Sequence, residues 1–241
     1  GDILTVLLFD ADLLIYNSAF YAEVATETSE GYWTWHCKFQ DVIDSFDYRL
    51  KNYTEILGTT EYKLFLSDES NFRKEVYPQY KIARQRKRRP LVLKAFKKYL
   101  IEERGAMTAP NLEGDDLCGI YATNGTFEDT IVVSEDKDLL GIPGYIFRRN
   151  EVRWYSEEEA DYYHLLQTLT GDPTDGYPGC AGIGAKKAEE ILKKDCSWKS
   201  VVAAYEKAGF TEEEALVQAR CAKILRASDW DAEKQEVKLW S

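Results

Sequence analysis

Three short apolar runs in this 241-residue chain each end in an acidic residue, and that repeated pattern constrains the fold most. Residues 3–9 (ILTVLLF) lead to Asp10, residues 62–67 (YKLFLS) to Asp68, and residues 130–134 (TIVVS) to Glu135-Asp136-Lys137-Asp138. Near-continuous apolar runs of this length predict strands buried on both faces, as in a parallel sheet covered by helices. Amphipathic segments between them supply the helices. Residues 12–23, 36–57, 91–104, 115 onward, 156–169, 197–208 and 211–226 read as helices, with Phe39, Ile43, Phe46, Leu50, Tyr53 and Leu57 on one stripe of the second. Gly58 suits its end, and Ser156 with Glu159, and Thr211 with Glu214, form capping boxes. Residues 24–34 read as a polar loop, 71–90 as irregular, 106–109 as a short strand, and 144–148 and 151–155 as strands. The expected fold class is α/β: a mainly parallel sheet flanked by helices, with a helical C-terminal subdomain. The domain expectation is a core over 1–170 and a helical region over 171–241.

In open α/β sheets, ligands bind beyond the carboxyl ends of the strands. Asp10, Asp68 and Asp136 therefore converge if the sheet is parallel, although any one of them alone would read as a helix cap or turn residue. Glu113-Gly114-Asp115-Asp116 adds acids at a helix start, and Asp138, Asp172 and Asp175 complete nine candidates. Two carboxylates ~5 Å apart repel by roughly 3 kcal/mol at an effective dielectric near 20. Several such pairs would offset most of a domain's stability of ~5–15 kcal/mol. Convergence thus requires cations or protonation, and all-oxygen ligation suits Mg²⁺ or Mn²⁺ over zinc. Two such ions form the clamp for in-line phosphodiester displacement.

Net charge is −11, which taken alone argues against nucleic-acid binding. One dense basic run, Arg84, Arg86, Lys87, Arg88 and Arg89, runs against that average. Gly179, Gly182 and Gly184 precede a helix bearing Lys186 and Lys187, a context in which backbone N–H groups approach a phosphate. Five widely spaced cysteines without a CxxC pair give no zinc ribbon, and they fit reduced thiols in a cytoplasm. The two histidines, His36 and His164, read as structural or exposed. No apolar run approaches the ~20 residues that span a bilayer, and the opening residues carry no secretory pattern.

At these residues the chain resembles the 5′ nuclease (flap endonuclease) superfamily over nearly its whole length. The blocks are LLFDAD, SDESNFRKEVYPQYKIAR, EGDD, SEDKDLL and GDPTDGYPGCAGIGAKKA, and WHCKFQD and HLLQTLTGDPTDGYPG look closest to podovirus-type phage 5′→3′ exonucleases. The resemblance implies that all nine acids line a two-metal site, with the earlier acids serving one ion, Asp136, Asp138, Asp172 and Asp175 the other, and Asp115 bridging. It implies that Tyr80, Lys81 and Arg84 stand at the base of a short arch, about 77–105. It also implies that Gly182, Gly184, Lys186 and Lys187 belong to a duplex-gripping H3TH element that often holds K⁺ on backbone carbonyls.

Ile82 and Ala83 depart from the family's usual glycine and asparagine, and Asp12 is absent from many relatives. The expected activity is divalent-metal-dependent 5′→3′ exonuclease action on duplex DNA, extending to RNA in RNA–DNA hybrids and to nicks, gaps and 5′ flaps. The expected protein is a monomer in the cytoplasm of a phage-infected bacterium, without a membrane partner. Lys81 and Arg84 are expected to neutralise the non-bridging oxygens, Tyr80 to stack on an unpaired base or to pack the arch, and Arg86, Lys87 and Arg88 to touch DNA. Rival readings are a flap endonuclease, a phosphatase with Asp10 as nucleophile and Asp12 as acid, a non-cutting DNA-end binder, and a PIN-type RNase. The phosphatase leaves EGDD and the glycine loop without a role, and the non-cutting binder would be favoured only if one of the nine acids were missing.

Overall fold

The computed structural model describes residues 3–241, and the side chains of Gln85 and Arg86 lie outside the described residues. The central sheet runs in the order β4 (Tyr62–Phe65), β1 (Thr5–Asp10), β5 (Asp129–Val133), β6 (Gly144–Arg148), β7 (Glu151–Tyr155). The first four strands are mutually parallel, and β6–β7 is an antiparallel hairpin at one edge. β1 lies between β4 and β5, which is why its run is apolar throughout. Leu7 and Phe9 face one apolar cluster, and Val6 and Leu8 the opposite one.

The first cluster is filled by α1 (Ala11–Ala22), α2 (Phe39–Leu57) and α4 (Leu93–Arg104), through Ile15, Phe46, Leu50, Phe96 and Leu100. On the other face lie α5 (Gly114–Thr123), α3 (Phe72–Val76) and the C-terminal segment, through Leu117, Phe72, Ile224 and Trp230. A third cluster is shared by α6 (Glu157–Thr170), α7 (Ala185–Lys194), α8 (Trp198–Lys207) and α9 (Glu212–Ala222). Both expected capping boxes form, at Ser156/Glu159 and Thr211/Glu214.

Several local expectations are corrected. Residues 24–34 are not a loop: β2 (Glu23–Ser29) and β3 (Tyr32–Cys37) form an antiparallel hairpin turning at Gly31. Its residues are mostly exposed, and Trp33-Thr34-Trp35-His36-Cys37 alternates apolar with polar, a short strand signal that the amphipathic stripe following it masks. The second helix starts at Phe39, not 36, because β3 uses residues 36 and 37. The strand expected at 106–109 reduces to a single bridge from Met107 to Phe65, and α9 ends at Ala222, where Lys223 turns extended. The segment 71–90 contains α3 and a 3-10 turn over Ile82–Arg86.

Candidate metal centre

The parallel arrangement brings the ends of β1, β4 and β5 to one edge of the sheet, and the acids follow. Asp10 closes β1 beside the start of α5. A Cβ on Gly114 would sit 2.9 Å from the Phe65 carbonyl oxygen and 3.0 Å from Asp10 Oδ1. Only a hydrogen fits there, so Gly114 is required for closeness of approach, and this closeness sets Asp115 next to Asp10. Asp12 also abuts Gly114, but its carboxylate accepts hydrogen bonds from the Ser67 N–H (3.1 and 3.2 Å) and hydroxyl. Ser67 Oγ in turn accepts from the Gly114 N–H at 3.0 Å. Asp12 thereby ties the end of β4 to the start of α5.

Two groups of three carboxylates lie with one oxygen of each residue within 4.8 Å of the others: Glu113, Asp115 and Asp116, and Asp138, Asp172 and Asp175. Asp10 and Asp136 border these groups, and the Asp68 N–H donates to the carbonyl of Leu112, next to Glu113, at 2.9 Å. Asp68 accepts from the Asn111 N–H at 2.9 Å, and Asp136 caps the turn carrying Asp138, accepting from its N–H at 2.9 Å. Asp172 and Asp175 share a tight turn in which Asp172 Oδ1 accepts from the Thr174 N–H at 2.9 Å. That turn is held by an interlock: Cβ atoms on Gly171 and Gly179 would fall 2.3 Å from each other's backbone segments, and both have positive φ.

The first group is already partly neutralised. Arg73 is fully buried and donates to Glu113 Oε2 at 2.7 Å and to both oxygens of Asp116 at 2.6 and 2.8 Å. Its remaining donors meet the carbonyls of Cys221 and Lys223 at 3.0 and 2.7 Å. Lys81 Nζ binds Glu113 Oε1, and Tyr80 Oη donates to Glu113 Oε2 at 3.0 Å. Burial alone would raise the Glu113 pKa, but Lys81 and Arg73 hold it down at about 2. Lys81 itself is kept charged against its burial by Glu113 and Asp175.

The second group has fewer cations. Arg84 donates to Asp175 Oδ1 at 2.9 Å, and Lys81 Nζ stands 3.9 Å from the same atom. Asp138 accepts from Gln167 Nε2 at 2.5 Å, yet burial and then Asp136 push its pKa up to about 8. Burial also raises Asp175, although Lys81 and Arg84 oppose it. Asp10 is raised well above the carboxylate range by burial and then by Asp12 and Asp136, and Asp115 by burial and then by Glu113 and Asp116.

A divalent cation fits this arrangement. Asp115 Oδ1 is buried with no hydrogen-bond partner among the described residues. A buried carboxylate oxygen left so is costly unless something cationic meets it. The donor set is all carboxylate, which suits hard cations. Four of the nine acids are destabilised as anions, the condition that bound cations relieve.

The structure also settles details that sequence reasoning missed or left open. Arg73 and Gln167, which hold Glu113, Asp116 and Asp138, had no signal beyond their place inside the recognised blocks. Tyr80 is 3% exposed and stacked on Tyr177 (6.2 Å between centroids). Lys81 takes a left-handed backbone conformation, φ 54°, with its N–H donating to the Asp175 carbonyl at 2.6 Å, so the segment that carries Lys81 is stitched directly to the second group. Lys186 and Lys187 are exposed in the first turn of α7, whose N-cap Gly184 leaves that helix end without a side-chain cap. Lys87, Arg88 and Arg89 are exposed. His164 is buried, bonded to the Ala219 carbonyl oxygen at 2.8 Å and lowered by burial to about 4, and His36 is exposed, within 2.9 Å of Thr26 Oγ1. All five cysteines are free. No helix among the described residues is long and apolar enough to cross a membrane.

Carboxylates gathered at the carboxyl edge of a parallel sheet, with a lysine and arginines reaching in from one segment, characterise a phosphodiester-cleaving enzyme that works with divalent cations. Residues 5–165 match the family described as 5′-3′ exonuclease, N-terminal resolvase-like domain, and the chain belongs to that family. It is a 5′–3′ exonuclease. The exonuclease of Escherichia phage T7 is 29% identical over 98% of this chain and 93% of its own length. The exodeoxyribonuclease of Enterobacteria phage T3 is 28% identical over 98% and 92%. A flap endonuclease of bacteriophage T5, solved as a pseudo-enzyme-product complex with DNA and metal ions, shares the fold. Its TM-score is 0.62 at 15% identity, covering 91% of this chain and 89% of that one.

Proposed function

We propose that this enzyme removes nucleotides stepwise from the 5′ ends of duplex DNA, using two Mg²⁺ or Mn²⁺ ions, with 5′ flaps, nicks, gaps and RNA–DNA hybrids as secondary substrates. The observation that carries the reading is Lys81, which touches Glu113 of one carboxylate group and approaches Asp175 of the other. One side chain is thereby shared by both halves of the site. Asp10, Asp68, Glu113 and Asp115 would hold one ion and Asp136, Asp138, Asp172 and Asp175 the other. Asp116, with both oxygens engaged by Arg73, supports the first group at one remove. Bound there, the ions supply a more acidic water and neutralise charge on the leaving oxygen.

The chain's own groups do the rest. Lys81 and Arg84 aim positive charge into the space between the carboxylate groups, where non-bridging phosphate oxygens gain charge as the bond breaks. Once a substrate phosphate enters, Lys81 exchanges part of its contact with Glu113 for that oxygen. Tyr80 fixes Glu113 and keeps Lys81 in its unusual backbone conformation. The products carry a 5′ phosphate and a 3′ hydroxyl. Gly182, Gly184, Lys186 and Lys187 present a helix start and two cations to duplex phosphates, with K⁺ on the preceding loop. Lys87 and Arg88 meet the strand under the arch, and Arg86 is assigned there by sequence alone. The division at residue 170, a monomeric state and a cytoplasmic setting belong to the same proposal.

The test is a time course on duplexes labelled at the 5′ or the 3′ end, with Mg²⁺ or with chelator. The 5′ label should leave early as a very short product while the 3′ label marks a descending ladder, and chelator should stop both. Release of the 3′ label first, or cleavage that survives exhaustive chelation, sinks the reading. Faster release of intact flaps than degradation of blunt ends would favour the flap endonuclease.

A further inference from the structure

The hairpin of β2 and β3 presents large aromatic side chains to solvent. Tyr32 is 71% exposed, Trp33 59% and Trp35 46%, and at the end of α1 Phe20 is 44% exposed. Exposed tryptophans this close together are costly unless they serve an interaction. By the hairpin register, Trp33 and Trp35 share one face with Glu27 and Ala25, so a small residue sits opposite Trp35 and leaves its ring uncovered from that side. The rings belong to a longer row. Tyr16 stacks on Phe20 at 5.8 Å and 26°. The Arg88 guanidinium lies 5.0 Å from the Phe20 ring and 4.0 Å from the Trp35 ring. Arg88 is anchored by Glu23 at 2.5 Å, and Glu23 also accepts from the Leu91 N–H at 2.6 Å. The basic run of the arch is thus docked on the aromatic row by one arginine, and Lys87 and Arg89 stay exposed beside it.

The row begins near the carboxylates and leads away from them. α1 starts immediately after Asp10, and at 1.5 Å per residue Phe20 lies roughly 15 Å further along it. At about 3.4 Å per stacked nucleotide, that is room for roughly four nucleotides. Alternating aromatic faces and cations is how single strands are held without regard to sequence, each base stacking on a ring and each phosphate meeting a cation. Duplex DNA, whose bases are covered, offers these rings nothing to stack on.

We propose that Tyr16, Phe20, Trp35 and Trp33, with Arg88 among them and Lys87 and Arg89 alongside, form a stacking track for an unpaired DNA strand running from the carboxylate site to the β2–β3 hairpin. The proposal rests on the nuclease reading above and adds a substrate-selecting surface to it: the track favours ends carrying an unpaired 5′ strand. Arg88 is paired with Glu23 and Glu27 stands opposite Trp33, so it is the exposed Lys87 and Arg89 on either side of Arg88 that argue for a polyanion over an apolar protein partner.

The test compares binding of a duplex with a short 5′ oligothymidine tail against the same duplex blunt, by fluorescence anisotropy of the full chain in chelator, so that nothing is cut. Trp33→Ala and Trp35→Ala should each lower the tailed-over-blunt affinity ratio roughly tenfold, and Trp33→Phe should keep most of it. Oligothymidine should also quench the tryptophan fluorescence of the unaltered chain, which checks the track even if an alanine variant misfolds. An unchanged ratio, absence of quenching, or an equal response to a 3′ tail overturns the proposal. So does a concentration-dependent dimer, seen by sedimentation and lost in Trp33→Ala, because the rings would then serve a second copy of the chain. Cleavage of the blunt duplex with Mg²⁺ is scored separately. Its absence removes the nuclease reading, whereas an unchanged binding ratio removes only the track.

Discussion

The two carboxylate groups contain three acids each but differ in how far protein cations hold their charge. Glu113 and Asp116 are held by a buried guanidinium, and Glu113 by a lysine as well, so protein cations keep its pKa at about 2. In the other group Asp138 faces Asp136, Asp172 and Asp175 with an amide for a partner, and its pKa rises to about 8. Glu113 and Asp116 are therefore pre-assembled by the fold, whereas Asp115 in the same group and Asp138 in the other wait for a cation. A buried guanidinium that satisfies two carboxylates fixes geometry whether or not metal is present. A cluster without one reports metal directly in its protonation and stability.

The largest expected effect lies on cleavage. Asp115→Asn and Asp138→Asn should each reduce it more than ~10³-fold, in line with losing electrostatic stabilisation at a reacting phosphate. In chelator each should leave the unfolding midpoint equal or higher, since each removes a buried carboxylate that its neighbours repel. A clear destabilisation by either variant in chelator would break the contrast with the cation-held Glu113 and Asp116.

Next comes Arg73→Met. Removing one member of a buried ion network strands the others, at a cost of about 3–5 kcal/mol. Urea unfolding should record it in chelator, and Mg²⁺ should recover only part. A loss under ~1 kcal/mol would mean that Arg73 does not hold the first group together.

The third prediction uses pH. Asp138 has a folded pKa near 8, raised from 3.8, so without metal the folded chain binds more protons than the unfolded chain between those values. This group's contribution to stability therefore falls as pH rises from about 4 to about 8. Mg²⁺ must displace that proton, so affinity at the second group should drop by up to roughly tenfold per pH unit below 8. Calorimetric titrations at pH 6.5 and 8.5 check the sign, and proton release should be seen at the lower pH. Affinity that is flat with pH would place the ion elsewhere.

The smallest expected effect is outside both groups and serves as their control. Lys186→Ala with Lys187→Ala should weaken duplex binding and flatten the log–log salt slope by about 0.9 per lost phosphate contact. Single-turnover cleavage at saturating DNA should stay near that of the unaltered chain. A collapse of that rate would tie α7 to the carboxylate groups themselves.

The sequence by itself determined the sheet and the edge at which its acids gather. Runs such as TVLLF are too apolar for anything but a strand covered on both faces, and parallel strands must end on one side. It also supplied the acids and the glycine loop by their order along the chain. The tertiary structure decided which acids stand together and what neutralises them, because such contacts join residues distant in sequence. Arg73 reaches Glu113 and Asp116 some 40 positions away, and Cys221 and Lys223 about 150 away, yet within its own segment it is one basic residue among several. The β2–β3 hairpin escaped notice for the opposite reason. Its alternation Trp33-Thr34-Trp35-His36-Cys37 buries almost nothing, so the pattern points to no core, and its tryptophans gain meaning only when Arg88, more than fifty residues later, folds back onto them.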